Sequence, residues 1–248
     1  IYEYGYVSGT RRTVLEDFEG GYYGSNAFRE PHSKFFEGKL LKGETVYMEI
    51  VGFTHTGIPI MPNADNQKTK DKEFIKKYGK TTIFSYGCTP HRYIVEGNNN
   101  STIDYHSFAI PQNDVYVYRM TMTNEDGDII EYSPDFMRYR CEQIGVKTVP
   151  VLWEGKIPEA CFLTELDEDG DVDEVKAVSA GEWIINKAEE FYDGPDPIGE
   201  THVREGVVVR ILNRPKFTAY KHKNFNFRVI EGIIKDVALE PDMEEAEG

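Results

Sequence analysis

The stretch YKHKNFNF, residues 220–227, puts two lysines one residue apart in a strand-like run. Successive side chains of a β-strand point to opposite faces, so Lys221 and Lys223 would share one face of a sheet. His222 and Asn224 would lie on the other face. Because like charges on one face repel each other, this pattern predicts an anionic group between the two lysines. The alternative is a solvated edge strand, where lysine discourages aggregation.

The charge of the chain is distributed unevenly along the sequence. Residues 159–200 hold fourteen acidic and two basic residues, and residues 236–248 hold six acidic residues and none basic. Together these segments contribute −18, and the rest of the chain contributes +3 to the net charge of −15. Residues 201–235 instead hold eight basic and two acidic residues. Local charge, rather than net charge, decides which ligands a surface attracts. The lysine pair therefore lies in a basic stretch that suits an anionic ligand.

Residue patterns predict one α+β domain over residues 1–235, followed by a solvated acidic tail at 236–248. Runs rich in β-branched and aromatic residues predict strands at 44–53, 81–86, 114–123, 206–213 and 216–221. Helices are predicted at 134–144 from Ser133-Pro134 and Gly145, at 180–191 from a capping box of Ser179 and Glu182, and at 68–78.

Composition argues against a membrane protein or a secreted one. The chain has no run of about 18 apolar residues, and its first residues lack the basic-then-apolar order of a signal peptide. Its three cysteines (Cys88, Cys141 and Cys161) are isolated and form no CxxC motif, which predicts reduced thiols and no zinc site. We therefore expect a cytoplasmic protein with no membrane partner.

The acidic segment DEDGDVDE, residues 167–174, resembles a calcium-binding loop. Such a loop needs glycine at its sixth position and glutamate at its twelfth. Here glycine is fourth and Val178 is twelfth. We predict instead a hairpin turn centred on Asp169-Gly170.

Three further polar motifs accompany the lysine pair. In REGVVVR, residues 204–210, Glu205 precedes a glycine and a strand, where its carboxylate can hold a hard cation while lysines bind phosphate. In VYMEIVG, residues 46–52, Glu49 lies within an apolar strand and is predicted to be buried, which costs free energy unless a partner satisfies it. In SGTRRT, residues 8–13, two arginines follow a glycine turn and suit an anion.

Five motifs, in their order along the chain, resemble the nucleotidyltransferase domain of ATP-dependent RNA ligases. They are SGTRR, MEIVG, VYVYRM, REGVVVR and YKHKN. These ligases are covalent nucleotidyltransferases, together with DNA ligases and messenger-RNA capping enzymes. The resemblance spans about residues 8–235, and KHKN is its most RNA-ligase-like part. It implies an ATP-grasp-like α+β fold with antiparallel sheets and peripheral helices.

The resemblance implies a role for the motif residues of the N-terminal half. Arg11 or Arg12 would contact the RNA 3′-OH end or the phosphates. Glu49 would accept hydrogen bonds from the adenosine ribose. Tyr118 would stack on adenine, although Tyr116 points the same way and could exchange roles with it.

The resemblance also implies roles for the two C-terminal motifs. Glu205 would hold a catalytic Mg²⁺ or Mn²⁺ ion, directly or through water, and Lys221 and Lys223 would contact the phosphates of ATP and of the adenylate. The implied activity is ATP-dependent sealing of RNA 5′-phosphate and 3′-OH ends through lysyl-AMP and adenylylated RNA. ATP and RNA with such ends are the implied partners. A lysine attacks only when neutral, and neighbouring positive charges lower its ordinary pKa of about 10.4.

One family motif has no counterpart in this sequence. The nucleophile of the family is a lysine followed by x-(Asp/Glu/His)-Gly, and none of the lysines of the chain precedes that pattern. The family places this motif shortly before SGTRR, so we expect it in an upstream segment of the same protein. We expect this chain alone to be inactive in adenylation.

Two alternatives stay open. A DNA ligase or a capping enzyme would normally continue into an OB-fold domain after the lysine motif, but only 25 residues, seven of them acidic, follow Lys223. We therefore expect no C-terminal OB domain. The other alternative is a nucleotide- or RNA-binding domain without catalysis, which the missing nucleophile would favour.

Overall fold

A computed structural model describes residues 5–11, 14–15, 35–54, 57–90, 111–212, 214, 216–233 and 243–245 of the chain. The chain divides into two compact units. Unit 1 contains residues 1–66, 78–150 and 197–202, and unit 2 contains residues 67–77, 151–196 and 203–248. The fold is mixed α+β, and among the described strands all pairs are antiparallel except one parallel pair.

The described residues form thirteen strands and four α-helices. The strands are β1 (Ser8–Gly9), β2 (Val14–Leu15), β3 (Glu44–Gly52), β4 (Ala64–Asp65), β5 (Thr81–Thr82), β6 (Asn113–Thr123), β7 (Ile129–Glu131), β8 (Lys147–Thr148), β9 (Phe162–Leu166), β10 (Val172–Ala177), β11 (Gly206–Ile211), β12 (Thr218–Lys223) and β13 (Met243–Glu245). The helices are α1 (Lys72–Tyr78), α2 (Pro134–Ile144), α3 (Ala180–Tyr192) and α4 (Phe225–Glu231).

Unit 1 is built on a sheet with the order β3-β6-β7, and β8 pairs with β6 in parallel. Alternate residues of β3 and β6 face a core that also contains residues of α2 and Phe36. The buried members of this core are Phe36, Val115, Val117, Met120, Tyr132, Met137, Cys141 and Ile144. The opposite face of β3 and β6 carries the polar and aromatic residues considered below.

A β-bulge interrupts the pairing of β3 with β6. Tyr47 pairs with Arg119 and Met48 pairs with Val117, so Tyr118 is an additional residue without a register partner on β3. Bulges of this kind re-aim side chains and are frequent near functional sites.

Unit 2 contains the sheet β11-β12-β13, helices α3 and α4, and a separate hairpin of β9 and β10. The β9–β10 hairpin confirms the turn predicted at Asp169-Gly170. Inside the turn, the Asp167 carboxylate accepts hydrogen bonds from the backbone N–H groups of Asp169 (3.0 Å) and Asp171 (2.9 Å).

Local capping signals located two helices correctly. Helix α2 covers the predicted residues 134–144, with the Ser133 hydroxyl accepting from the Phe136 N–H and Gly145 in the left-handed region. Helix α3 begins with the predicted capping box of Ser179 and Glu182.

Other elements differ from prediction. Helix α1 begins at Lys72 instead of residue 68, because the Asp71 side chain caps it by accepting from the N–H groups of Glu73 and Phe74. The strand predicted at 81–86 is limited to Thr81–Thr82.

Of the predicted acidic tail at 236–248, only residues 243–245 are among the described residues. Residues Met243–Glu245 form β13, which pairs antiparallel with β12 and places Glu244 opposite Lys221 in the register. A strand edge offers unpaired backbone N–H and C=O groups, and these can recruit even a strongly acidic segment.

No helix in the described ranges is long and apolar enough to cross a membrane. The three cysteines are free and buried, in agreement with the predicted reduced thiols.

Candidate functional site

Gly206 brings β11 into close contact with β12 at the position of the predicted metal ligand. It has a φ of 146° and lies opposite Lys223. A Cβ atom at this position would lie 2.0 Å from the His222 carbonyl oxygen, so a side chain does not fit. The Asn224 N–H donates to the Glu205 carbonyl oxygen (2.8 Å), which continues the pairing by one step. Glycine after Glu205 thus allows the carboxylate to lie beside the lysine strand.

The two lysines lie on the same face, as predicted, but each has its own carboxylate partner. Lys221 pairs in register with Val208, and its ammonium donates a hydrogen bond to the Glu205 carboxylate. The Lys223 Nζ lies 3.1 Å from the Glu231 Oε2 of α4. Both ion pairs are partly exposed, with side-chain exposures of 34% for Lys221 and 18% for Lys223. Glu231 therefore belongs to this cluster, although no sequence motif indicated it.

His222 faces away from the lysines and is buried against helix α3. Its ring centroid lies 4.9 Å from that of Tyr192, and its Nε2 lies 3.9 Å from Glu189 Oε1. Neither ring nitrogen has a hydrogen-bond partner among the described residues. Burial lowers the pKa of His222, Glu189 acts in the opposite direction, and the Arg228 charge lowers it further. The imidazole is therefore held mainly neutral.

Asn224 ends the lysine strand and begins helix α4. Its side-chain oxygen accepts from the N–H groups of Asn226 (2.8 Å) and Phe227 (3.3 Å) as an N-cap. Its amide nitrogen donates to the Tyr192 carbonyl (3.2 Å) and to Asp193 Oδ1 (2.7 Å) at the end of α3. The sequence carries a helix signal here, because an asparagine suited to an N-cap precedes FNFRVIE and a glycine suited to a C-cap follows it. The prediction of a strand missed this signal.

In unit 1, Glu49 is exposed, and the prediction that it is buried is wrong. Along β3, the side chains of Val46, Met48 and Ile50 pack against the core, while Glu49 lies on the opposite face. An apolar run around a glutamate therefore did not indicate burial, because only alternate residues of the strand face the core. An exposed carboxylate at this position is accessible to a ligand.

Tyr116 and Tyr118, the two candidates for adenine stacking, differ in their exposure. Tyr116 is 8% exposed and packs with Val51, Phe53 and Cys88. Tyr118, the bulge residue, is 36% exposed. Of the two, Tyr118 presents more of its ring to a ligand.

Tyr118 lies among charged groups. Burial of part of its side chain and the Glu49 carboxylate raise the pKa of its hydroxyl, and the charges of Arg11 and Arg119 act in the opposite direction. Arg11 is exposed in the loop between β1 and β2. Arg12 lies outside the described residues. Arg11 and Glu49 thus lie near enough to Tyr118 in unit 1 for their charges to influence the pKa of its hydroxyl.

Tyr47 is a further aromatic residue near Tyr118, and no sequence motif indicated it. Its ring centroid lies 6.4 Å from that of Tyr118, and the Arg119 guanidinium carbon lies 4.5 Å from the Tyr47 centroid. Arg119 Nε in turn donates to both oxygens of Glu131, at 3.0 and 3.1 Å. Since the bulge brings Arg119 opposite Tyr47, this stacked arrangement depends on tertiary pairing and could not be read from spacing.

The predicted site residues thus form two groups in different units. Arg11, Glu49 and Tyr118 lie in unit 1, and the lysine strand with Glu205 lies in unit 2. No group of three or more His, Cys, Asp or Glu side chains suited to a metal ion is found within the described ranges.

Comparisons with protein-family models, curated proteins and solved structures found no match to this chain.

Proposed function

We propose that this chain is the nucleotidyltransferase domain of an ATP-dependent RNA ligase that joins 5′-phosphate and 3′-OH ends. The observation that carries the proposal is the contact of Glu205 with Lys221 across β11 and β12, at the Glu-Gly and Lys-x-Lys motifs of the resemblance. Gly206, whose backbone leaves no room for a side chain, gives a physical reason for that motif.

Lys221 and Lys223 are the residues for phosphate binding. Their side chains project from one face of β12, and each is paired with a carboxylate. Each ammonium could exchange its carboxylate partner for a phosphate oxygen. It would then keep an anionic hydrogen-bond partner when the ligand displaces water. Positive charge at this position would stabilise the negative charge that develops on a reacting phosphate.

Glu205 fits a divalent cation that is held partly by its substrate. Mg²⁺ is commonly bound by one or two carboxylates together with phosphate oxygens and water, so a cage of three protein ligands is not required. The Glu205 carboxylate is a hard oxygen donor with 32% of its side chain exposed. A cation bound there would neutralise phosphate charge.

Tyr118 and Glu49 are the residues proposed for adenosine. The exposed ring of Tyr118 offers a surface for base stacking, and the Glu49 carboxylate can accept hydrogen bonds from ribose hydroxyls. Arg11, which is an exposed residue, would contact RNA phosphates or the 3′-OH end.

A nucleotide- or RNA-binding domain without catalysis is the second candidate. One observation favours it: the sequence has no lysine followed by x-(Asp/Glu/His)-Gly. A DNA ligase or a capping-type enzyme would share the same residues, and nucleotide and substrate preference distinguish these possibilities.

The last step of ligation tests the proposal without the missing lysine. In that step, the 3′-oxygen of one RNA end attacks the 5′-phosphate of pre-adenylylated RNA, AMP leaves with the electron pair of the broken bond, and the 3′-OH proton passes to a base or to water. We expect the purified chain with Mg²⁺ to join pre-adenylylated RNA to a 3′-OH acceptor. Lys221→Ala should abolish joining, and Lys216→Ala, which removes an exposed lysine from the loop before β12, should not.

Calorimetric titration with nucleotides separates the alternatives. Preference for ATP over GTP supports a ligase-type domain, and preference for GTP indicates a capping-type enzyme. Joining of DNA but not RNA ends indicates a DNA ligase. Binding of ATP or RNA without any joining indicates the non-catalytic candidate, and failure to bind either nucleotide or RNA contradicts the proposal. The intact mass of the chain, measured after incubation with ATP and Mg²⁺, should show no covalently added AMP, because the sequence has no lysine followed by x-(Asp/Glu/His)-Gly.

A further inference from the structure

The β9–β10 hairpin presents an apolar face to solvent. Cross-strand pairing places Leu166 opposite Val172, Thr164 opposite Val175 and Phe162 opposite Ala177, so these six residues lie on one face. Four of them are large and apolar, with exposures of 53% for Phe162, 61% for Leu166, 61% for Val172 and 56% for Val175. We call these four residues the hairpin patch.

A patch of this kind is unusual on a two-stranded sheet. Hairpins of two strands are marginal in water by themselves and are usually stabilised by packing of their apolar face. A contiguous exposed apolar patch that is rimmed by polar residues often marks an interaction site. In this hairpin the face that would ordinarily pack inward is the open one.

The charge around the patch restricts what can cover it. Residues 162–177 contain seven acidic residues and one lysine, a net charge of −6. Nucleic acid and anionic lipid would be repelled, and a second copy of the chain would place −6 against −6. The Asp167 hydrogen bonds to the turn hold the acidic end in a defined conformation. A basic partner is the one that this charge favours.

The dimensions of the patch favour a helix. Two paired strands are roughly 10 Å wide, which is close to the diameter of an α-helix. The five residues of β9 span about 17 Å, the length of roughly 11 helical residues.

We propose that the hairpin patch binds an amphipathic basic helix of a partner protein. The apolar stripe of this helix would cover the patch, and the lysine or arginine side chains of the helix would extend beside the stripe towards the acidic turn. This surface is independent of the phosphate chemistry proposed above.

A designed peptide tests the proposal. The probe is a helical peptide of leucine and lysine with leucine on one face, compared with a scrambled peptide of the same composition and with a glutamate-for-lysine version. We expect the striped peptide to bind the full chain in fluorescence anisotropy, and the other two to bind at least about tenfold more weakly.

Two charge-neutral variants distinguish the patch from general attraction to an acidic protein. Leu166→Ser combined with Val175→Ser should weaken binding of the striped peptide about tenfold or more. Ile129→Ser removes an equally exposed apolar side chain from β7 and should leave binding unchanged. Circular dichroism establishes that each variant is folded.

Several results would overturn the proposal. These are equal binding by the hairpin and Ile129 variants, equal binding of the striped and scrambled peptides, or no binding of the striped peptide. A concentration-dependent dimer that is lost in the double variant would show instead that a second copy covers the patch.

Discussion

The Lys221 ammonium contacts the Glu205 carboxylate across two neighbouring strands, and Lys223 on the same face contacts Glu231 instead. Two like charges that are adjacent in a motif are therefore each compensated by a different acid. Such pairs are partly exposed and contribute little to stability. Replacing either lysine should therefore change the free energy of unfolding little.

Removing either lysine should weaken nucleotide binding more than it weakens the fold. A charged hydrogen bond contributes about 1.5–3 kcal/mol, so we expect Lys221→Ala and Lys223→Ala each to raise the Kd for ATP by roughly ten- to a hundredfold. Calorimetry measures this effect, and Lys216→Ala is the matched control. Equal affinities for all three variants would argue against phosphate binding at β12.

Glu205 should determine how binding depends on magnesium. We expect Glu205→Gln, which keeps the shape but removes the charge, to abolish the gain in ATP affinity that Mg²⁺ produces. Glu231→Gln removes the other carboxylate and should retain this gain. A titration of Mg²⁺ at fixed ATP separates the two, and an unchanged magnesium dependence in Glu205→Gln would exclude a metal role.

Substitutions at the two tyrosines of β6 should affect different properties, namely stability for Tyr116 and ATP binding for Tyr118. Tyr116→Ala removes a buried aromatic ring and should lower the free energy of unfolding by about 3–5 kcal/mol, as for other buried aromatic residues. Tyr118→Ala should change stability little but weaken ATP binding, and Tyr118→Phe should bind nearly normally because the ring is retained. Denaturant unfolding and calorimetry together check this, and the reverse pattern would assign adenine stacking to Tyr116.

A buried ion pair in unit 1 should make the fold sensitive to acid. The Glu44 side chain has no exposed surface and accepts hydrogen bonds from Arg140, Tyr132 and the Leu41 N–H. Burial alone would raise its pKa, but these hydrogen bonds and the Arg140 charge lower it. A lowered carboxyl pKa stabilises the fold above the ordinary value of about 4, and this contribution is lost as pH falls through the folded pKa.

We therefore expect stability to fall on acidification below about pH 4, and to fall less steeply in Glu44→Gln. Glu142→Gln, at an exposed position of α2, should follow the unmodified chain. Arg140→Ala should cost about 3–5 kcal/mol near neutral pH, because it leaves a buried carboxylate without its cation. Equal acid slopes for the two glutamate variants would contradict this account.

Asn224 should couple the lysine strand to the end of α3. In a double-mutant cycle of Asn224→Ala and Asp193→Ala, we expect a coupling free energy of about 1 kcal/mol, because their hydrogen bond is partly buried. The same cycle with Glu190→Ala, at an exposed position of α3, should give a coupling near zero. Denaturant unfolding measures both, and equal coupling would indicate an indirect effect.

The sequence by itself determined those elements whose signals are local. Ser133-Pro134 and Gly145 define the ends of α2, and Ser179 with Glu182 defines the start of α3, because caps bond residues three or four positions apart. Alternation likewise predicted that Lys221 and Lys223 share a face.

Only the tertiary structure decided how the candidate site residues are surrounded. It placed Glu49 in solvent, Tyr116 in the core and Tyr118 at a bulge, and it paired Lys221 with Glu205. Each result depends on which strands pair and in which register, and one shifted residue reverses the direction of every side chain beyond it. Pairing joins residues far apart in the chain, so spacing within a motif identifies the residues but not their contacts.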